Sequence, residues 1–150
     1  MIELIAVMLI IGILSGAALS TYFSLPAYNS LAYNNEVLNS IRYARKLAIT
    51  TGGEIQVSVS GATLSLQSRT EGADCSTPTL TAISDPVTLS SGYSRTAPGN
   101  LQITTTSFPI YFDSLGRGYK ASTCTVFSSK TIQVTGANAL TIYGHTGFIQ

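Results

Sequence analysis

Residues 1–20 read MIELIAVMLIIGILSGAALS, an apolar run interrupted by one carboxylate, Glu3, close to its tip. No charge occurs from Leu4 to Leu19, and the apolar character continues through Tyr22, Phe23 and Leu25. A stretch of roughly 20 such residues matches the hydrocarbon core of a bilayer, so residues 1–25 are expected to form a hydrophobic helix that spans a membrane or lies in the core of a filament. A cleaved secretory signal is the competing reading, because Ala17-Ala18-Leu19-Ser20 is a small-residue stretch. Such signals open on basic residues, whereas this chain opens Met1-Ile2-Glu3, so cleavage there is not expected. A carboxylate costs on the order of 2.5–3.5 kcal/mol at a bilayer centre and less toward an end. Glu3 is therefore either a headgroup-level charge on a plain anchor or a group that meets a positive partner on another chain, and the second reading explains better why an acid is there.

Working outward, residues 27–53 read AYNSLAYNNEVLNSIRYARKLAITTGG. Val37, Ile41, Ala44 and Ala48 recur at helical spacing, and Asn35, Asn39, Arg42 and Lys46 do the same on the opposite side, which predicts an amphipathic helix over 26–53. Gly52 and Gly53 supply its carboxy-terminal cap. A continuous helix from Met1 to that cap would be about 78 Å long at 1.5 Å per residue. Arg42, Arg45 and Lys46 form a candidate contact patch between helix and head; the plainer reading is a solvated face that suits the negative end of a helix. Arg45 lies between Ile41 and Ala48, so its stem is expected to pack while its head reaches a carbonyl or carboxylate.

Beyond Gly53 the period changes to two. Ile55, Val57 and Val59 alternate with Gln56, Ser58 and Ser60, Gly61-Ala62 forms a two-residue turn, and Leu64 and Leu66 alternate on the return, which predicts a β-hairpin with one buried face. Residues 69–100 hold Pro78, Pro86 and Pro98 and read as loops with one short strand over 87–89. Strands are expected at 101–104, 108–112, 125–127, 131–134, 140–143 and 148–149. Asp113 and Gly116 fit a type I turn, Pro109 places its strand at an edge or a bulge, and Gly144-His145-Thr146-Gly147 is a hairpin turn. The fold class is α+β, with residues 54–150 as one β-rich globular head. With 150 residues, 45% hydrophobic and 10% charged, the chain has room for one modest domain beyond its first helix.

The pattern Met1-Ile2-Glu3-Leu4, followed by a bare apolar run, resembles the amino terminus of type IV pilins and type II secretion pseudopilins. Arg42-Tyr43-Ala44-Arg45-Lys46-Leu47-Ala48 before a hairpin, Phe112-Asp113-Ser114-Leu115-Gly116-Arg117, and the closing strands resemble the pseudopilin H and fimbrial T-type group, and within it the minor pilins of mannose-sensitive haemagglutinin pili. The resemblance implies a pilin fold, a long helix packed on an antiparallel sheet. It implies that a short basic leader ending in Gly and two further residues precede Met1. It also implies assembly through Glu3, Leu4, Gly12 and Gly16, with Glu3 pairing to the methylated terminal amine of a neighbouring subunit. Opposite charges about 4 Å apart gain roughly 4 kcal/mol at an effective dielectric of 20. The implied partners are other pilin subunits, the inner membrane before assembly, the pilus assembly machinery and a prepilin peptidase, and the implied destination is an extracellular pilus. Many pilins carry a proline where this chain has Ser20, so a kink is expected at Gly12 to Gly16 or at Pro26.

A head facing an oxidising compartment makes Cys75 and Cys124 a disulfide, closing a loop of about 50 residues worth roughly 4 kcal/mol. Two distant thiols and the single His145 are too few for a metal site, and CxxC spacing is absent. Eight Lys and Arg against seven Asp and Glu, for a net charge of +1, give no nucleic-acid footprint, and no Lys or Arg follows Lys130. No hydrolase elbow, zinc-helix motif or phosphate loop occurs, and His145 reads as a turn residue, so no enzyme activity and no cofactor are expected. The function expected is a pilin, of the minor kind, in a type IV pilus-like filament. The alternatives are a secretion pseudopilin, or a membrane-anchored adhesive or ligand-binding domain that does not polymerise.

Overall fold

The computed structural model describes the backbone at residues 2–22, 25–70, 75 and 77–150, and the side chains of these except 2 and 16–26. Two helices, α1 (Ile2–Tyr22) and α2 (Leu25–Thr51), precede an antiparallel β region, so the α+β class stands. Among the described residues no helix is long and apolar enough to cross a membrane, which corrects the transmembrane expectation for residues 1–25. The expected continuity from Met1 to Gly53 turns on residues 23 and 24, which lie outside the described residues. Gly12 and Gly16 do not interrupt α1, and Pro26 falls in the first turn of α2, where a missing N–H removes no intrahelical bond.

α2 ends at Gly52, whose φ of 69° is the left-handed conformation a helix end requires. Its stripe of Val37, Ile41, Ala44 and Ala48 is fully buried, while Asn35, Asn39, Arg42 and Lys46 are exposed. The stripe packs on β1 (Glu54–Ser60), β6 (Ile110–Phe112) and β9 (Ser129–Val134). Among the described residues the larger sheet also contains β2 (Thr63–Arg69), β3 (Leu80–Ala82), β4 (Tyr93–Thr96), β7 (Gly118–Lys120) and β8 (Thr125–Val126), in the order β3-β2-β1-β6-β7-β8. Both β3 and β4 pair with β2, at Gln67 to Arg69 and at Thr63 to Leu66 respectively. The smaller sheet is ordered β11 (Phe148–Ile149), β10 (Leu140–Tyr143), β9, β5 (Ile103–Thr105). One apolar core joins the α2 stripe to Val57, Leu64, Leu66, Ile110 and Phe112 of the first sheet and to Ile132, Val134 and Ile142 of the second.

Three strand expectations are corrected. Residues 87–89 form no strand; they belong to a turn in which the Val87 N–H donates to Asp85 Oδ1 at 2.9 Å and the Leu89 N–H to Asp85 O at 2.8 Å. Pro109 does not place its strand at an edge, because β6 begins one residue later and lies between β1 and β7. The hairpin of β1 and β2 does not bury one face alone: Gln56 is buried as well as Ile55 and Val57.

Candidate functional site

The residues singled out in the sequence fall in three places. On α1, Glu3 and Leu4 are exposed at the start of the helix, and Leu4, Met8 and Ile11 stand 65%, 68% and 57% exposed. A Cβ built at Gly12 would meet nothing within 4 Å, and Gly16 lies one helical turn further on. Ile5, Val7, Leu9, Ile10, Ile13 and Leu14 are exposed too, so over residues 4–14 the rod is apolar all round.

On α2 the structure separates the three cations. Arg42 and Lys46 are exposed to solvent. Arg45 inserts between two turns, donating from Nε to Gly116 O at 3.3 Å and from Nη2 to Thr146 O at 2.9 Å. Gly116 closes the β6–β7 turn, where Asp113 Oδ1 accepts the N–H groups of Leu115 and Arg117 at 3.0 and 2.8 Å, and Thr146 belongs to the β10–β11 turn. The turns are themselves joined by Gly118 N–H to Gly144 O at 2.7 Å. A Cβ at Gly144 would collide with Phe127 O, and one at Gly147 with Gly116 O and the Arg45 side chain. Arg45 and these glycines therefore fasten both sheets to the helix.

The third place is the Cys75–Cys124 disulfide, which is formed. Cross-strand register puts Glu54 opposite Arg69, Gln56 opposite Gln67 on one side and Tyr111 on the other, and Tyr111 opposite Tyr119. These side chains share the face of the larger sheet turned away from α2, and the disulfide lies over it. Arg69 is buried there with its Nε 3.0 Å from Glu54 Oε2, its Nη1 donating to Ala121 O at 3.4 Å and its Nη2 3.3 Å from Cys124 Sγ. Its guanidinium lies 4.5 Å from the Tyr111 ring centre, and Tyr111 stacks on Tyr119 at 5.1 Å. Burial, reinforced by the Glu54 carboxylate, pushes the Tyr111 phenol above its ordinary value.

A charged network missed in the sequence ties α2 to the loop before β4. Arg95 forms ion pairs with buried Asp85 and, from Nε, with Glu36 Oε1 at 3.0 Å, and it lies 4.3 Å over the Tyr93 ring. Tyr93 OH shares a 2.9 Å hydrogen bond with Ser40 Oγ, and Tyr33 OH donates to Arg95 O and Ala62 O at 2.9 and 3.1 Å. Hydrogen bonding to Arg95 first, then to the Val87 N–H, holds the Asp85 carboxyl well below the usual carboxylate range. Burial first, then the Glu36 carboxylate, raises the Tyr33 phenol to about 12.

Among the described residues no group of three or more His, Cys, Asp or Glu side chains could hold a metal ion. His145 is exposed and lines an open cleft of about 600 Å³ with Ser128, Tyr143, Thr146, Phe148 and Gln150, a set without a carboxylate to orient the imidazole. No family model, no curated protein and no solved structure matches the chain.

Proposed function

We propose that this chain is the subunit of an extracellular pilus-like filament, a pilin of the minor kind, assembled by packing of α1 against α1 of neighbouring subunits. The observation that supports the reading most directly is the rod of residues 4–14, apolar on every side and exposed in the single chain. A helix that is hydrophobic all round belongs in an interior. Burying one Leu or Ile side chain gains about 1.5–3 kcal/mol, so copies of the same rod are a sufficient driving force for one another. Glu3 is the group that cannot be buried alone; in this reading it pairs with a positive terminal amine of the adjacent subunit and so fixes the axial register. Gly12 and Gly16 let neighbouring backbones approach, and the β-rich head makes the outer wall. The partners are then other pilin subunits and the machinery that adds them.

The test compares wild type with Glu3→Val in cells that assemble the filament, reading the chain in sheared filaments by immunoblot. The expected result is loss of the variant from filaments with an unchanged melting temperature of its head. Incorporation at the wild-type level would overturn the reading.

A further inference from the structure

Successive side chains of a strand point to opposite faces. In the smaller sheet Ile132, Ile142 and Ile149 enter the core, so Ser129 and Thr131 of β9, Thr141 and Tyr143 of β10, and Phe148 of β11 stand on the face turned away from α2. Register sets Tyr143 opposite Phe148 on one side and opposite Ser129 on the other. The two aromatic rings stack at 6.3 Å with 28° between their planes, yet Tyr143 and Phe148 remain 38% and 54% exposed. They border the cleft of about 600 Å³ together with Ser128, His145, Thr146 and Gln150, a volume in the range of small-molecule sites. The exposed Gln150 side chain donates from Nε2 to the Tyr143 phenol oxygen at 2.9 Å. That bond holds the amide beside the ring and leaves the phenol proton and the amide oxygen without a partner among the described residues.

We propose that this cleft binds a neutral saccharide, a pyranose unit of an uncharged glycan, which lays its C–H face on the Tyr143 and Phe148 rings and hydrogen-bonds through its hydroxyls to the Tyr143 phenol and the Gln150 amide. The chemistry of the lining selects that ligand. No Lys, Arg, Asp or Glu side chain borders the cleft, so it offers nothing to an ionised ligand, and a nucleic acid would require several cations near one another. A protein partner would require a larger apolar centre than two rings set among hydroxyls and an amide. A pyranose is apolar on its C–H face and carries around its edge hydroxyls that both donate and accept. The cleft supplies the complement of each: exposed ring surface, and a phenol and an amide that also donate and accept. The inference concerns the head alone and is independent of whether the chain polymerises.

The experiment titrates the whole chain, held in dodecylphosphocholine micelles that carry no sugar headgroup, with cellohexaose, mannohexaose and chitohexaose, and follows the amide resonances by NMR. At least one of the three is expected to shift resonances of residues 128–131 and 141–150 and to leave those of β1 and β2 in place, and the three probes distinguish the sugar unit. No shift from any of them at about 10 mM, beyond any millimolar affinity, overturns the proposal, as do shifts confined to other parts of the head. A heparin hexasaccharide bound at the same residues as tightly as the neutral chains overturns the uncharged class. Phe148→Ala is expected to weaken binding about tenfold, the loss of one aromatic platform, and Phe148→Tyr to retain it; wild-type affinity in Phe148→Ala contradicts the stacking. Gln150→Leu is expected to weaken binding about fivefold, the loss of one hydrogen bond, and an unchanged affinity removes Gln150 from the site. If a variant does not fold, the wild-type shift map decides.

Discussion

On α2, Val37, Ile41, Ala44 and Ala48 are closed off from water by two sheets, whereas on α1 nine large aliphatic or Met side chains between Leu4 and Leu14 face solvent. Both helices carry aliphatic residues, and what separates them is that α2 sets Asn, Arg and Lys between its aliphatic positions whereas α1 does not. The α2 sequence gathers Val37, Ile41, Ala44 and Ala48 into one stripe opposite a polar face and so specifies a partner inside the chain. The α1 sequence has no polar side to turn outward, so nothing in its periodicity selects an internal partner. The aliphatic residues of the α2 stripe therefore contribute to the stability of the head, and those on α1 contribute only when something outside the chain covers them.

The sharpest way to break this contrast is a matched pair of truncations. Ile41→Ala, at a fully buried position, is expected to cost about 2–5 kcal/mol in urea denaturation followed by tyrosine fluorescence. Ile10→Ala on the exposed rod should change that value by less than about 0.5 kcal/mol, and a comparable loss would mean that α1 packs on the head. Next in size is the double change Cys75→Ser with Cys124→Ser, expected to remove about 2–4 kcal/mol from the same transition. It should leave the helical circular-dichroism signal of α1 untouched.

Acid sharpens the contrast from the α2 side, because Asp85 and Arg95 reach α2 through Glu36. The Asp85 carboxyl is held below its ordinary value by Arg95, so its contribution is present above the unfolded carboxylate range near pH 4 and is lost as pH falls toward the folded value. A thermal-melt series from pH 6 to pH 2 (roughly the span where carboxylates titrate) should show the head losing stability on the acid limb, and Asp85→Asn should flatten that limb. A limb of unchanged slope would remove Asp85 as its source. The smallest effect compares two cations one residue apart: Arg45→Met is expected to cost about 1–2 kcal/mol through two lost backbone hydrogen bonds, and Lys46→Ala less than about 0.5 kcal/mol. Equal melting temperatures for the two variants would show that Arg45 does not fasten the sheets.

Much of this architecture is legible in the residues. The α2 stripe, the β1–β2 hairpin, the Asp113–Gly116 turn and the strands at 140–143 and 148–149 follow from period and turn chemistry, which are local. β3, β4 and β7 are three or four residues long, too short for alternation to register, and they form because neighbouring strands offer open edges. Asp85 was illegible for a related reason: Asp85-Pro86 looks like any loop, and only the fold brings Arg95 and Glu36 to it. Arg69 was within reach. Once the two-residue turn is placed at Gly61-Ala62, counting outward pairs Glu54 with Arg69, and opposite charges directly across a hairpin are a favourable pair.

The glycines at 144 and 147 carry a genetic consequence. Every missense change of a glycine codon installs a Cβ, and at these two positions that carbon would occupy the space of a backbone oxygen. Neither codon has a neutral missense neighbour, in contrast with exposed sites such as Asn138 and Ala139. The junction of the two sheets is thus closed to diversification at these two buried positions.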